Sequence, residues 1–338
     1  MKNLQFARLK VIPAITLLLL GGCFADDPDL QIDQSIQGLY DGALSANGQY
    51  SLIASIHHGA SLWRIKDGER LYNWNHSSDG FTQISHVALS NNGRIALTAF
   101  QRELASWNQK NGKSIQFWQL PSQISCLSMN GNGTYALVGM DSGQTMIIDM
   151  ANNGFAWSYK FPDEITACDI TPTTNGIAIG TQQGGVYAYQ VKRLKNKKDK
   201  TAPSQLKLGK ILELEHPYAI SQVSLLPKSK LLSSASRHNE FILTDLKTKE
   251  PVFEEELKNA SISGVKEYNN YIVVAKTNRH IDFINQENWK TLKTVQVPKR
   301  NKWKPSGVYI SDFTLVKDNL IVTGSDGVTQ IFNALNLP

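Results

Sequence analysis

The chain has little cysteine and no long run of apolar residues. Only three of its 338 residues are cysteine, so disulfides cannot replace a hydrophobic core as they do in small secreted domains. The longest strongly apolar stretch, residues 11–20, is shorter than the roughly 20 residues that a membrane-spanning helix needs. With 41% hydrophobic and 19% charged residues, the composition is that of a globular protein rather than a disordered one. We therefore expect a folded protein with a large apolar core.

Common catalytic signatures are also missing. The chain has no phosphate-binding loop with its glycines and lysine, no HExxH pair of a zinc protease and no GxSxG elbow of a hydrolase. We therefore expect neither an enzyme nor a bound cofactor, and we infer no small-molecule substrate.

Residues 1–22 have the pattern of an export signal. Three cations and no acids precede or flank the apolar stretch, which ends in Leu-Gly-Gly followed by Cys23. This ending resembles the lipobox of bacterial lipoproteins, in which the cysteine is acylated and becomes the new N-terminus. The resemblance implies a signal peptide over residues 1–22, lipid attachment at Cys23 and a tether over residues 23–29. The alternative is a plain secretory signal beside a chance cysteine.

The same resemblance predicts where the mature protein is held. Two or more acyl chains anchor a protein stably to a bilayer. Phe24 and Ala25 follow the cysteine, where enteric lipoproteins retained in the inner membrane tend to have aspartate. We therefore expect a protein on the periplasmic side of a bacterial outer membrane. Removing the three cations of the signal lowers the formal net charge from +6 to +3, and an exported, mildly basic chain is not expected to bind nucleic acid.

A hairpin pattern recurs along the chain. ALSANGQYSLIAS (43–55) returns as ALSNNGRIALTAF (88–100), and more loosely as CLSMNGNGTYALVGM (126–140) and DITPTTNGIAIGT (169–181). In each segment a strand ends at Ser or Thr, the chain turns through Asn-Gly, and a second apolar strand begins. Asn-Gly supplies the positive φ angles that tight hairpins need.

A second marker ends the third strand of each repeat. The markers are Trp63, Trp107, Asp149, Gln190, Asp245, Asn285 and Asn333, separated by 40 to 55 residues. Seven units of four short antiparallel strands at this period predict an all-β, seven-bladed β-propeller over residues 30–338. Too few residues follow Asn333 for a last strand, so we expect residues 30–37 to complete the seventh blade and close the ring.

The third strands carry a family resemblance. SDGVTQIFN (325–333), DSGQTMIID (141–149) and HHGASLWRI (57–65) resemble repeats of the WD-repeat family, although no repeat ends in Trp-Asp and the Gly-His dipeptide is absent, with His86 its nearest remnant. Tryptophans at 74, 118 and 157, expected on fourth strands, are similar to those of quinoprotein-type propellers, which include a lipoprotein of the outer-membrane barrel-assembly machinery. The resemblances imply an interaction scaffold, an assembly factor, or a propeller enzyme of the quinoprotein or lyase kind.

A basic segment predicts the partner-binding surface. PKRNKWKPSG (298–307) surrounds one tryptophan with four cations in the connection between blades 6 and 7, on the face that also holds turns of blades 5 and 6. Tryptophan and arginine are frequent in binding hot spots. The predicted surface comprises Arg237, His238, Arg279, His280, Lys299, Arg300, Lys302, Trp303 and Lys304, and suits an anionic protein partner. The alternative is that the tryptophan folds over the blade edge and the lysines only aid solubility.

The remaining polar residues suggest structural roles. Residues 191–205 form a lysine-rich insertion in blade 4, expected to be a solvated loop, with contact to anionic lipids as the alternative. The acidic segment FEEEL (253–257) is expected to discourage other strands from pairing with the outer edge of blade 5. We expect no metal site, because His57, His58, His238 and His280 belong to distant turns. An oxidising compartment would allow Cys126 and Cys168 to pair, but we expect two buried free thiols.

Overall fold

The computed structural model describes residues 26–77, 80–194, 205–238, 240–301, 307–333 and 335. Its regular structure is entirely β within these ranges, as the sequence predicts. The part of the chain it describes contains no helix long and apolar enough to cross a bilayer. In chain order the strands are β1 (Leu30–Asp33), β2 (Leu39–Leu44), β3 (Tyr50–Ser55), β4 (Gly59–Arg64), β5 (Glu69–Trp74), β6 (His86–Leu89), β7 (Ile95–Phe100), β8 (Glu103–Asn108), β9 (Ser114–Gln119), β10 (Ile124–Met129), β11 (Tyr135–Met140), β12 (Gln144–Asp149), β13 (Gly154–Lys160), β14 (Ile165–Ile170), β15 (Gly176–Thr181), β16 (Gly185–Arg193), β17 (Leu206–Glu215), β18 (Ile220–Leu226), β19 (Leu231–Ser236), β20 (Glu240–Asp245), β21 (Pro251–Glu256), β22 (Ile262–Tyr268), β23 (Tyr271–Lys276), β24 (His280–Asn285), β25 (Thr291–Gln296), β26 (Ile310–Val316), β27 (Asn319–Gly324) and β28 (Val328–Phe332).

These strands form seven four-stranded antiparallel sheets, which confirms the predicted seven-bladed β-propeller. From the centre outward, blade 1 contains β2–β5, blade 2 β6–β9, blade 3 β10–β13, blade 4 β14–β17, blade 5 β18–β21, blade 6 β22–β25, and blade 7 β26–β28 followed by β1. The first strand of each blade contacts the first strand of the next, and β26 contacts β2 in turn. The blades therefore form a ring around a central channel.

The outer strand of blade 7 comes from the other end of the described chain. β1 pairs antiparallel with β28, with Leu30 opposite Ile331 and Asp33 opposite Val328. The strand ends four residues before the end of the predicted segment 30–37, because Gln34 leaves the ladder. Its side-chain amide instead donates to Ser51 and accepts from Thr329, on blades 1 and 7.

Two faces of the ring can be distinguished by their turns. On the connection face, the outer strand of one blade leads to the first strand of the next, and the turns between second and third strands lie beside these connections. On the hairpin face lie the turns from first to second strands and from third to fourth strands. The predicted basic surface belongs to the connection face.

The repeated Asn-Gly turns of the hairpin face link neighbouring blades. The amide of Asn47 donates to the carbonyl of Asn91, that of Asn91 to Gly131, and that of Gly131 to Pro172. Gly93, which follows one of these turns, has φ +70°, and a Cβ there would lie 2.3 Å from a tyrosine ring on β3. The sequence repeat therefore serves contacts between blades as well as the turn itself.

The apolar core lies between the blades. Leu62 and Trp74 of blade 1 pack in one buried cluster with Ala96 and Trp107 of blade 2, and the two tryptophan rings stack 5.3 Å apart. Four of the second strands, such as Tyr135–Met140, are buried along their whole length. Because each blade is covered by its neighbours, the blades stabilise one another.

Cys126 and Cys168 form a disulfide, so the expectation of two free thiols is wrong. Their Cα atoms lie 5.9 Å apart on β10 and β14, the first strands of blades 3 and 4. First strands of neighbouring blades lie side by side without pairing, which brings residues one repeat apart within bridging distance. The bond therefore links two blades at the channel wall.

Candidate functional site

Three aspartates of the described chain lie at the wall of the central channel. The channel encloses ≈ 860 Å³, and its wall includes Asp41, Asp169 and Asp312 on the first strands of blades 1, 4 and 7. Such a concave, polar cavity is the usual place to look for chemistry in a fold of this kind. The contacts of these three side chains therefore decide what the channel can do.

Each aspartate carboxylate accepts a hydrogen bond from a backbone amide of the next blade. The amide nitrogens of Val87, Leu225 and Leu44 lie 2.9, 2.9 and 2.7 Å from a carboxylate oxygen of Asp41, Asp169 and Asp312, respectively. The ammonium of Lys266 lies 2.7 Å from the second oxygen of Asp312. These carboxylates thus satisfy backbone donors where adjacent first strands do not pair.

Burial changes the protonation of two of these groups. It raises the pKa of Asp41 from 3.8 to about 7, against the opposing effect of amide donors from Val87 and Gly42. It also raises the pKa of Asp169. A raised carboxyl pKa is common in catalytic acids, but here the hydrogen bonds hold both groups against the backbone.

Two histidines outside the channel fill equivalent positions in blades 2 and 5. His76 Nε2 lies 2.8 Å from Thr98 Oγ1, which also accepts from the indole of Trp107, and its Nδ1 lies 3.2 Å from Glu103. Burial lowers the pKa of His76, although Glu103 opposes this shift.

His216 repeats the arrangement, with Ser234 Oγ at 2.9 Å and Glu240 Oε2 at 3.1 Å. His86 lies on β6 at the channel wall, where burial lowers its pKa. The repeat pattern could have indicated that His76 and His216 are equivalent, because each follows the outer strand of a blade by one or two residues.

The structure brings part of the predicted basic surface together on the connection face. Arg237 and His238 are exposed in the turn after β19, and the imidazole of His238 lies 4.2 Å from the ring of Tyr218. Arg279 and His280 occupy the equivalent turn of blade 6, where Arg279 donates to the carbonyl of Val297. Burial lowers the pKa of Arg279, and the charge of Asp326 opposes this.

Arg300 holds the connection between blades 6 and 7 in place. Its guanidinium donates to the carbonyls of Ile36 and Gly327, its Nε lies 3.4 Å from Asp33, and its amide donates to Asp326. Lys299 is partly buried beside it. The predicted partner residues Lys302, Trp303 and Lys304 lie outside the described residues. Arg300 thus has a structural role that the sequence does not reveal.

A second surface, which was not predicted from the sequence, lies on the outer edges of blades 2 and 3. Ile115 and Phe117 on β9, and Phe155 and Tyr159 on β13, are between 45% and 51% exposed. β9 contains no charged residue and β13 only the terminal Lys160, whereas β21 carries three glutamates. Tyr159 also stacks on Trp157 at 6.1 Å. The nearly uncharged segments SIQFWQ (114–119) and GFAWSYK (154–160) could have indicated this surface.

The fold defines the chain as a seven-bladed β-propeller consistent with the WD-repeat and quinoprotein-like types. No family model matches the chain. No curated protein matches it either. Among the residues that the structure describes, no group of three or more histidine, cysteine or acidic side chains is placed to hold a metal ion.

Proposed function

We propose that the chain is a lipid-anchored, non-enzymatic scaffold that binds an extended segment of a protein partner at the outer edges of blades 2 and 3. The exposed, nearly uncharged outer strands β9 and β13 are the observation that carries this proposal. An outer strand leaves a row of backbone donors and acceptors unpaired, and another chain can add to it as a further strand.

The contrast with blades 1 and 5 supports recognition at these edges. β21 ends in Glu254, Glu255 and Glu256, and β5 begins with Glu69 and Arg70. Charges of this kind discourage pairing with other chains. The exposed side chains of β9 and β13 include two large apolar or aromatic ones on each strand, so an incoming strand gains apolar contacts along with backbone hydrogen bonds.

The channel contacts support a scaffold rather than an enzyme. Asp41, Asp169 and Asp312 each hold a neighbouring blade through a backbone amide. The competing proposal, a quinoprotein or lyase-type enzyme with its site in the channel, requires a bound metal or chromophore. Elemental analysis and an absorbance scan of the purified protein test this, and a stoichiometric metal or chromophore would contradict the scaffold.

The anchor is proposed from the LLLLGGC segment (17–23) that ends at Cys23. It would hold the propeller at the periplasmic side of the outer membrane. Labelling with radioactive palmitate should mark the native chain and not a Cys23→Ser variant. Retained label in the variant would remove the anchor from the proposal.

The partner surface is tested by crosslinking in intact cells. A photoreactive residue at position 116, between the exposed side chains of β9, should capture a protein. The double variant Phe117→Glu with Phe155→Glu should lose this capture, because charges would block strand addition. Leu292→Glu is the matched control, since Leu292 is 45% exposed on the outer strand of blade 6. Capture that persists in the double variant, or is lost in the control, contradicts the proposed surface.

The same edges favour a second candidate, an assembly factor for outer-membrane proteins. Strands of such barrels alternate apolar and polar residues, which matches an edge that binds extended chains. Deletion of the gene should then deplete outer-membrane proteins. A normal outer-membrane protein profile would contradict the assembly-factor candidate. It would be compatible with the proposed scaffold.

A further inference from the structure

We infer that the connection face of blades 5 to 7 is turned toward the bilayer and contacts anionic lipid headgroups. This inference rests on the proposed lipid anchor at Cys23. It assigns the described part of the predicted basic surface to the membrane rather than to an acidic protein, and it gives the anchored ring a defined orientation.

The chain that leads to the anchor is held at the edge of this face. The amide of Asp26 donates to the carbonyl of Gln296, and the amide of Gln296 donates to the carboxylate of Asp26, at 2.9 and 2.7 Å. Gln296 is the last residue of β25 and lies opposite His280 in the sheet. The carboxylate of Asp29 accepts the amide of Asn333. The described chain therefore begins between blades 6 and 7, beside His280 of the basic surface.

The short distance along the chain keeps this face near the lipid. Cys23 lies three residues before Asp26, and three extended residues span at most about 10 Å. Charges interact over roughly 8 Å at physiological ionic strength. Cations close to the tether thus lie within the range in which lipid charges attract them.

The cations of this sector are placed to meet a negative surface. Arg237 and Lys258 are exposed on the connection face of blade 5, and Arg279 and Lys299 are partly exposed on that of blade 6. Basic residues next to a bilayer are attracted by anionic headgroups.

The acids in this sector are mostly held by the protein itself. The carboxylates of Asp26 and Asp29 accept backbone amides, and Asp33 and Asp326 both contact Arg300. Asp27 and Glu256, the last residue of β21, are exposed and oppose the attraction. The bound acids are therefore less available to an outside ligand than the exposed cations Arg237 and Lys258.

Apolar side chains lie among these cations. Ile36 is 92% exposed, the most exposed of the large apolar side chains that the structure describes, and its carbonyl accepts from Arg300. Tyr218 is 46% exposed and packs on His238. A mixture of cations with exposed apolar and aromatic side chains is typical of surfaces that lie in the membrane interface, and it favours lipid over an acidic protein segment.

The opposite part of the same face has the reverse charge. Asp141, Asp163 and Glu164 lie on the connection face of blades 3 and 4. In a ring of seven, blades 2 and 3 lie three positions from blade 6 in either direction. Contact through blades 5 to 7 would therefore leave the outer edges of blades 2 and 3 at the far side of the ring, accessible to a partner.

The orientation is tested on the mature lipidated protein in vesicles. Lys258→Cys and Lys110→Cys each carry a fluorescent label, and nitroxides on the lipid headgroups act as quenchers. Lys110 is the matched control, because it is an exposed lysine on the hairpin face of blade 2. In vesicles that contain phosphatidylglycerol, quenching at position 258 should exceed that at position 110 severalfold. An Arg237→Glu substitution in the Lys258→Cys chain should reduce it, whereas Lys113→Glu, an equal charge change on the hairpin face, should not.

The outcomes separate the orientation from the anchor. Equal quenching at the two positions of a palmitate-labelled protein overturns the orientation and leaves the proposed function intact. Loss of palmitate labelling in the native chain overturns the anchor, and the orientation with it. If quenching at position 258 is equally strong in vesicles of neutral phosphatidylcholine, the role of anionic lipid is overturned. A protein crosslinked at position 258 in cells would then assign the basic surface to an acidic partner.

Discussion

At the scale of single residues, buried polar groups of this propeller are used to join blades. Asp41 reaches from blade 1 to an amide of blade 2, and Lys276 of blade 6 lies 2.8 Å from Glu255 of blade 5. Neighbouring blades share no backbone ladder, so side chains add to the few backbone hydrogen bonds that link their turns. Deep burial makes each such contact expensive to disrupt, because the partner is left unsatisfied.

Asp41 should make stability depend on pH. Its folded pKa of about 7 exceeds the ordinary value of 3.8, so the folded protein holds a proton that the unfolded chain releases. Its stabilising contribution is complete below about pH 4 and is lost as the pH rises through about 7, by as much as about 4 kcal/mol. Urea unfolding across this range should show the loss in the native protein and not in Asp41→Asn, which keeps a carbonyl acceptor. Asp318→Asn, at an exposed site, serves as the control, and an unchanged slope in Asp41→Asn would contradict the prediction.

His76 should be important for stability although it is not a ligand. Replacing it with alanine removes hydrogen bonds to Thr98 and Glu103 inside blade 2. We expect a loss of about 2–4 kcal/mol in the free energy of unfolding, from unsatisfied partners and a cavity. Thermal unfolding measures this. His57→Ala, at an exposed turn, should change stability by less than about 0.5 kcal/mol, and equal effects of the two substitutions would count against a structural role for His76.

At the scale of strands and turns, the sequence was informative where a pattern repeats. The Asn-Gly turns, the third-strand markers and the tryptophans of β5, β9 and β13 predicted the order of strands within a blade. Contacts between blades were harder to predict, because they join residues about one repeat apart whose side chains differ from blade to blade. The Cys126–Cys168 disulfide, the position of His76 and the role of Arg300 all belong to this group. The exposed outer edges of blades 2 and 3 were not predicted, because the only pattern that marks them is a lack of charged residues.

The disulfide should stabilise the contact between blades 3 and 4. The two cysteines are 42 positions apart in the sequence, and for a loop of this length chain entropy predicts about 4 kcal/mol relative to the reduced protein. Mild reductant should therefore lower the melting temperature of the native chain. A variant with Cys126→Ser and Cys168→Ser should melt at the lower temperature with or without reductant. Two thiols that react in the unreduced, denatured protein would contradict the disulfide.

At the scale of the whole molecule, a ring is stable only when its first and last blades are joined. The prediction of seven blades followed from a period near 45 residues and needed no knowledge of individual contacts. The pairing of β1 with β28 makes blade 7 a composite of both ends of the described chain. A cluster of Ile32, Leu44 and Ile321 packs beside this pairing, between blades 7 and 1. The tether and the closing strand are therefore adjacent in sequence, and tension on the anchor would act directly on the closure of the ring.

Removing the closing strand should open the ring. Deletion of residues 30–37 takes away the outer strand of blade 7 and the contacts of Gln34 with Ser51 and Thr329. A sharply lower melting temperature is expected, because β28 is left as an unpaired edge and the apolar cluster that Ile32 covers is exposed. Point variants keep the strand and isolate its packing: Ile32→Ala, at a site only 8% exposed, should cost about 2–4 kcal/mol. Leu30→Ala, at a site 42% exposed on the same strand, should cost less than about 1 kcal/mol. If the deletion melts like the native chain, the ring does not depend on this strand and its closure must lie elsewhere.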